Sequence, residues 1–213
     1  MTKIADIRTD YIRHKLNKEE ALDNPVEQFT EWFKEALNAE VSEVNAMNLA
    51  TVKADNRPSS RIVLLKGVEN GQFLFYSNYL SNKGKEMAKN PYAALTFFWW
   101  ELERQVRIEG KITLVSPEQS EQYFNSRPRG SQISAATSPQ SAVIANRQIL
   151  EERSSDIEKK YADKEVKRPS QWGGYALIPD YVEFWQGRAN RLHDRIAYKL
   201  EEDQTWSKNR LAP

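Results

Sequence analysis

The stretch Val182-Glu183-Phe184-Trp185-Gln186-Gly187-Arg188-Ala189-Asn190-Arg191-Leu192-His193-Asp194-Arg195 holds three arginines, one of the chain's two histidines, two acids and a tryptophan. A solvated charge run lacks the Phe-Trp pair, and a core strand lacks the charges. Val182 to Gly187 reads as one strand. The alternation of Arg191, His193 and Arg195 predicts another, running from Arg191 to Leu200 with these three side chains on one face. Two cations flanking an imidazole make an anion site with a titratable group at its centre. An edge strand with exposed basic side chains explains the run equally well.

Outward from this stretch the chain is β-rich. Trp172 to Pro179 reads as a strand, and Ser141 to Tyr161 as a long, charged helix opened by Ser141. Ser116-Pro117-Glu118 starts a helix that Pro128 must break, with a second helix beginning nearby. Period-two patterns predict strands at Met47–Val52, Ser60–Lys66, Gln72–Ser77, Ala93–Trp100 and Gln105–Val115, joined by turns at Asp55-Asn56-Arg57-Pro58 and Glu69-Asn70-Gly71. Ser81–Lys89 is a short helix between them. Asn24-Pro25 caps a helix whose face is Val26, Phe29, Phe33 and Leu37, with Trp32 and Ala36 beside it. Around eight strands with short turns predict a mainly β fold, a closed or nearly closed barrel with peripheral helices. Residues 21–213 read as a single domain. Residues 1–20, with Ile4, Ile7, Tyr11, Ile12 and Leu16 spaced as a weak amphipathic helix, read as a mobile segment that either orders over a ligand or frays.

The 213 residues are enough for one sizeable core, and 39% hydrophobic with 29% charged residues is ordinary for a globular protein. A net charge of +1 gives no bulk attraction to nucleic acid or to an anionic membrane, so any anion site must be a local cluster. The absence of cysteine excludes disulfides and thiolate chemistry, and two histidines argue against a metal site. A charged N-terminus and no apolar run of spanning length point to a cytoplasmic chain.

Two segments carry a more specific signal. Glu-Phe-Trp-Gln, four residues, then Arg-Leu-His-Asp-Arg resembles the C-terminal signature of the pyridoxamine 5′-phosphate oxidases. Tyr-Phe-Asn-Ser-Arg-Pro-Arg-Gly-Ser-Gln-Ile, from Tyr123, resembles that family's substrate-phosphate segment. The likeness runs from about residue 5 to the closing Asn-Arg-Leu-Ala-Pro. It implies an FMN-binding split β-barrel and a homodimer with FMN at the subunit interface. It also implies oxidation of pyridoxamine or pyridoxine 5′-phosphate by O2 to pyridoxal 5′-phosphate, with hydrogen peroxide and, from the amine, ammonia.

The residues accept that assignment unevenly. In a regular strand Arg61 and Lys66 point to opposite faces, which suits two solvated ends or two separate ligands. By resemblance Arg61, with Ile62, Val63 and Leu64, meets FMN, while Lys66 meets the substrate phosphate and borders the cofactor. Tyr76, Ser77 and Lys83, at a strand end and a helix start, form a sensible phosphate site and match FMN contacts. Asn82 stands where relatives carry Arg or Lys. Gln105 suits a flavin edge or a core hydrogen bond, and by resemblance contacts the ring. Gln140 and Ser141 match a pair that reaches the FMN bound mainly by the other subunit, although Ala135-Ala136-Thr137-Ser138-Pro139 departs from bulkier relatives. Trp185 and Arg195 match flavin contacts. Tyr123, Arg127 and Ser131, with Lys66, match the substrate phosphate site. Arg191 and His193 match the catalytic, substrate-ring end, and Arg8 and Tyr11 a lid. A related flavoprotein with another substrate, or a non-enzymatic carrier of flavin or pyridoxal phosphate, are the rival readings.

Overall fold

The computed structural model describes Ile4, Tyr11 and residues 14–213. Most of the segment expected over residues 1–20, Arg8 included, lies outside these. Among the described residues, nine strands form one antiparallel sheet with five α-helices around it: α1 (Pro25–Asn38), β1 (Ala46–Val52), β2 (Pro58–Leu64), β3 (Gly67–Glu69), β4 (Gln72–Asn78), α2 (Asn82–Lys89), β5 (Tyr92–Trp99), β6 (Arg104–Leu114), α3 (Pro117–Ser126), α4 (Arg129–Thr137), α5 (Gln148–Tyr161), β7 (Trp172–Gln186), β8 (Asp194–Leu200) and β9 (Trp206–Leu211). The strand order is β2-β1-β5-β6-β7-β4-β3, with β8 also on β7 and β9 on β8.

The two ends of that order, β2 and β3, are separated in sequence only by Leu65 and Lys66. The sheet must therefore curl until its ends meet there. Leu65 N–H still donates to Asn45 O (2.8 Å), while Lys66 N–H already donates to Leu74 O (2.8 Å). Lys66 thus sits on the seam of a split barrel, which is the expected fold.

Inside the curl, Phe29, Phe73, Phe97 and Trp99 are buried against one another, with Phe29 meeting Phe73 at 5.0 Å and Phe97 at 5.1 Å between ring centres. Each such ring removed from water contributes about 1.5–3 kcal/mol. Helix α1 closes this core. Asn24 Oδ1 accepts from Val26 N (2.8 Å) and Pro25 sits in the first turn, as expected. The buried face is Phe29, Trp32 and Ala36, however, and Leu37 is 51% exposed. The helix is turned by a buried polar anchor: Arg104 lies 4.3 Å over the Trp32 ring, pairs with Glu35 and donates to Gln186 Oε1.

Four other expectations change. Trp172–Pro179 and Val182–Gly187 are one strand, β7. Glu109 pairs with Tyr181 and Gly110 with Pro179, so Asp180 is the extra residue of a bulge. The bulge tolerates Pro179, which has no N–H for the ladder. It also marks a change of neighbour, since β7 pairs with β4 before it and β8 after it. Gly110 is required here, because a Cβ would lie 2.0 Å from Ile178 O. Secondly, α5 starts at Gln148, not Ser141. Ser141 has φ +73°, which a helix forbids, and Asn146 Oδ1 accepts from Ile149 N at the true start. Thirdly, β8 starts at Asp194, because Asn190 (φ 57°) and Arg191 (φ 61°) take a tight left-handed turn. Arg191, His193 and Arg195 therefore do not share a strand face. Lastly, β9 is an additional edge strand. Residues 14–24 run beside it and β8: Leu16 N–H donates to Asp194 Oδ2, Tyr198 Oη to Leu22 O, and Lys208 Nζ to Ala21 O.

Candidate active site

A cavity of about 610 Å³ opens beside the seam. Arg61, Ile62, Val63, Leu64 and Lys66 form one wall, Tyr76, Ser77 and Lys83 another, and Tyr123, Arg127, Ser131 and Gln140 a third. Arg61 and Lys66 share this cavity despite their odd spacing. The chain leaves β2 after Leu64 and crosses the seam, so strand alternation no longer governs Lys66.

Arg61 is held from behind. Its guanidinium donates to Ser59 Oγ (2.7 Å), to Thr51 Oγ1 and to Glu86 Oε2 (3.0 Å). Burial alone would raise the Glu86 carboxyl. Hydrogen bonds from Thr51 and Arg61, and the charge of Arg61, outweigh burial and hold it below its ordinary value. Lys83 stands in the first turn of α2, whose cap is Ser81 Oγ accepting from Gly84 N. That turn abuts Asn78-Tyr79 so closely that a Cβ on Gly84 would lie 2.2 Å from Tyr79 O. Burial, then repulsion from Arg61, lowers the Lys83 ammonium. Two cations forced together beside a capped helix start make a site for an anion. Ser77 Oγ (3.2 Å) and Lys83 Nζ (3.4 Å) both donate to Gln140 Oε1, and Asn82 N–H donates to Ser141 Oγ (3.2 Å). Gln140 and Ser141 thus lie against their own chain's cavity and α2, not only toward a partner's. The Asn82 side chain is exposed.

The third wall is built by the Pro128 break. Helix α3 ends at Ser126, Arg127 is extended (φ −74°, ψ 147°), and α4 starts at Arg129, so the break falls where the sequence placed it. The Arg127 guanidinium packs 4.6 Å from the Trp172 ring, and its buried Nη1 has no hydrogen-bond partner. Burial lowers this arginine, with Tyr123 opposing the shift. Tyr76 stacks on Tyr123 at 3.8 Å, and burial, then Glu69, pushes the Tyr76 hydroxyl up to about 12. It remains a neutral donor at physiological pH. Among the described residues, neither Lys66 nor Arg127 has a carboxylate partner. A buried, unpartnered guanidinium nitrogen and an unpaired ammonium lining one cavity fit a second phosphate. The cavity therefore suits the phosphate ends of both a flavin mononucleotide and a phosphorylated substrate.

The remaining predicted residues do not line this cavity. Gln105, Trp185 and Arg195 are cross-strand neighbours on β6, β7 and β8. The Trp185 ring lies 4.6 Å from His193 and 5.6 Å from Tyr11, which also meets Trp100 at 6.1 Å. Gly187 makes room, since a Cβ would meet the Tyr11 ring at 2.7 Å. Arg188 N–H donates to His193 Nδ1 (3.1 Å), and burial, then the Arg191 charge, lowers the imidazole below its ordinary value. Arg191 itself is exposed. Glu183, 2% exposed, accepts both arms of Arg195 (2.8 and 3.0 Å) and also Arg107 and Tyr181. Burial of β7 forces such pairing.

Several working residues carried no sequence signal. Thr51 and Glu86 hold Arg61 and Trp172 carries Arg127, each well separated along the chain from its partner, and Ser59 holds Arg61 from two residues away. Glu183 stood inside the diagnostic stretch without an assigned role.

The family model described as pyridoxamine 5′-phosphate oxidase matches residues 33–161, and that of the pyridoxine 5′-phosphate oxidase C-terminal dimerisation region matches residues 172–213. A pyridoxine/pyridoxamine 5′-phosphate oxidase of Herminiimonas arsenicoxydans is 55% identical over 99% of both chains, and that of Acaryochloris marina 52% identical over 100% of this chain and 96% of its own. In structure, PhzG from Burkholderia lata, solved with tetrahydrophenazine-1-carboxylic acid, superposes with a TM-score of 0.90 over 95% of this chain and all of that one at 24% identity. An FMN-binding, pyridoxamine 5′-phosphate oxidase-related protein of Nostoc punctiforme gives 0.71 over 87% of this chain and 97% of its own at 18% identity. These two likenesses establish the split-barrel fold. The matched models and the full-length relatives together establish that this chain belongs to the pyridoxamine 5′-phosphate oxidase family.

Proposed function

We propose that this chain works as an FMN-dependent homodimer that oxidises pyridoxamine and pyridoxine 5′-phosphate to pyridoxal 5′-phosphate. The observation that carries this reading is the cavity's double anion provision, with Arg61 and Lys83 at one place and Lys66 and the unpartnered Arg127 nitrogen at another. FMN, which Arg61, Ser77 and Lys83 would hold by its phosphate, would supply the hydride-accepting and O2-reducing chemistry for oxidation at the substrate's C4′ carbon, with hydrogen peroxide as the reduced product.

The chain's own groups bind and orient. Arg61, Ser77 and Lys83 hold the FMN phosphate, and Ile62–Leu64 border the flavin. Lys66, Tyr123, Arg127 and Ser131 hold the substrate phosphate. Remote anchoring of that kind turns C4′ oxidation into a positioned, effectively unimolecular step. Arg191 and His193 hold the other end of the substrate, Gln105, Trp185 and Arg195 contact the flavin, and Arg8 and Tyr11 cover the site.

One subunit cannot do all of this for one ligand pair. Trp172, beside the cavity, and Trp185 are at opposite ends of β7, with on the order of 40 Å of strand between them at about 3.3 Å per residue. A homodimer supplies the answer: the cavity of one protomer with the partner subunit's Trp185, Arg191, His193 and Arg195. The exposed apolar side chains Ile62, Phe98 and Trp100 supply surface for that contact.

Among the described residues no helix is long and apolar enough to cross a membrane. A cytoplasmic location goes with this reading, because charged phosphate esters do not cross a bilayer and must be used where they are made. The experiment is direct. Purified protein should be yellow and should form peroxide and pyridoxal phosphate together when pyridoxamine 5′-phosphate is added in air. Yellow protein without turnover would move the substrate elsewhere, and colourless protein inactive with added FMN would reject the reading.

A further inference from the structure

We infer that His193 works as a neutral imidazole whose Nε2–H donates to the substrate, and that it does not act as the base. The inference rests on the oxidase reading above and assigns the protonation state and direction that reading leaves open.

The deciding contact is behind the ring, where Arg188 N–H donates to His193 Nδ1 at 3.1 Å. A backbone amide only donates, so Nδ1 must present its lone pair. In a neutral imidazole the other nitrogen then carries the hydrogen. An imidazolium would set an Nδ1–H against the Arg188 N–H, two donors face to face. To take a proton from substrate, the ring would have to break this contact.

The contact is built by the backbone. Asn190 and Arg191 both adopt positive φ, and Leu192 N–H closes the turn on Ala189 O (3.2 Å). This returns the chain so that residue 193 lies over the amide of residue 188. The groups facing the ring agree. Trp185 and Tyr11 pack on it as rings, and Arg191 is a cation beside it. The adjacent carboxylate, Asp194, is already taken by Leu16 N–H and Arg210 and lies 3.7 Å from Arg188. Burial and the Arg191 charge favour the uncharged ring, in the same direction as the amide contact. Among the described residues Nε2 has no hydrogen-bond partner, which leaves it for a ligand.

The test uses the FMN-loaded homodimer labelled with ¹⁵N in its histidine rings, of which each chain has only two. At pH 7.5 one ring should show an unprotonated Nδ1 and a protonated Nε2, and His193→Gln should remove that pair of signals. A protonated Nδ1 or an imidazolium at this pH overturns the inference. In turnover, His193→Gln keeps an amide N–H near the Nε2 position and offers no base. It should retain kcat within about tenfold, the scale of one perturbed hydrogen bond. It should also lose the wild-type fall in kcat at acid pH. A loss of about 10²–10⁴-fold, the usual effect of removing a general base, overturns the inference. A wild-type enzyme that binds FMN but turns over neither substrate overturns the oxidase reading instead, and the ring spectrum still decides the tautomer.

Discussion

Trp172 and Trp185 stand at opposite ends of the fifteen-residue strand β7, and each packs against a different candidate site residue. Trp172 lies under the Arg127 guanidinium, and Trp185 lies against His193. The bulge at Asp180 between them moves β7 from its pairing with β4 to its pairing with β8. A single strand thus separates the cationic cavity beside Trp172 from the cluster of Trp185 and His193.

Subunit mixing follows from that separation. At substrate well below the wild-type KM, Arg127→Ala and His193→Ala homodimers should each keep about a tenth or less of wild-type activity. Unfolding and refolding an equal mixture should restore about a quarter of wild-type activity, since half the dimers are mixed and each has one intact composite site. Mixtures no more active than their parents would place each complete site within one chain.

Arg127→Ala removes the buried, unpartnered nitrogen. A hydrogen bond to a charged group is worth about 1.5–3 kcal/mol, so KM for either phosphorylated substrate should rise on the order of 10–100-fold. FMN absorbance per subunit should not change. Loss of flavin from this variant would show that the two phosphate places are not independent.

Glu86→Gln leaves Arg61 without its counter-charge. The variant should be destabilised by about 1–3 kcal/mol at pH 7, measured by urea unfolding. The folded Glu86 carboxyl is held below its unfolded value near 4.5, so this stabilisation is fully present above that value and is lost as pH falls through the lower folded one. The gap between wild type and variant should be constant from pH 7 to about pH 5 and shrink only below about pH 4. A gap that already closes by pH 6 would exclude Glu86 as its source.

Gly84→Ala forces a Cβ onto Tyr79 O, a backbone atom that cannot rotate away. Helix α2 must shift, carrying Lys83 with it. Overpacking of this kind costs about 1–3 kcal/mol. The melting temperature should fall and FMN should dissociate more readily, read by flavin fluorescence released on dilution. Gly130→Ala, where nothing lies within 4 Å of the added Cβ, is the matched control and should change neither.

Local chemistry was legible wherever it acts over a few residues. The Asn24 and Ser116 caps, the Pro128 break, the β1–β2 hairpin and the turn at Glu69-Asn70-Gly71 follow from side chains and backbone limits within one turn of the chain, whereas the strand expected over Ser60–Lys66 breaks after Leu64 and β3 is an additional strand. The run from Glu183 to Arg195 was legible as a motif, and with Tyr123 to Ile133 it pointed to the family. Its local geometry was misread, because alternation cannot reveal that Asn190 and Arg191 take positive φ. The same limit hid the start of α5, where Ser141 bends the chain away from a helix.

By itself, therefore, the sequence determined the β-rich class, the starts of α1 and α3, the break between α3 and α4, and the family, since these depend on residue identity and near neighbours. Only the tertiary structure decided that Lys66 joins Arg61 across the seam, that Glu86 holds Arg61, that Arg127 rests on Trp172, and that His193 faces an amide with Nδ1. Those contacts join elements distant in sequence or depend on one turn's dihedral angles. They are set by how the sheet curls and where its bulge falls, and no spacing along the chain encodes either.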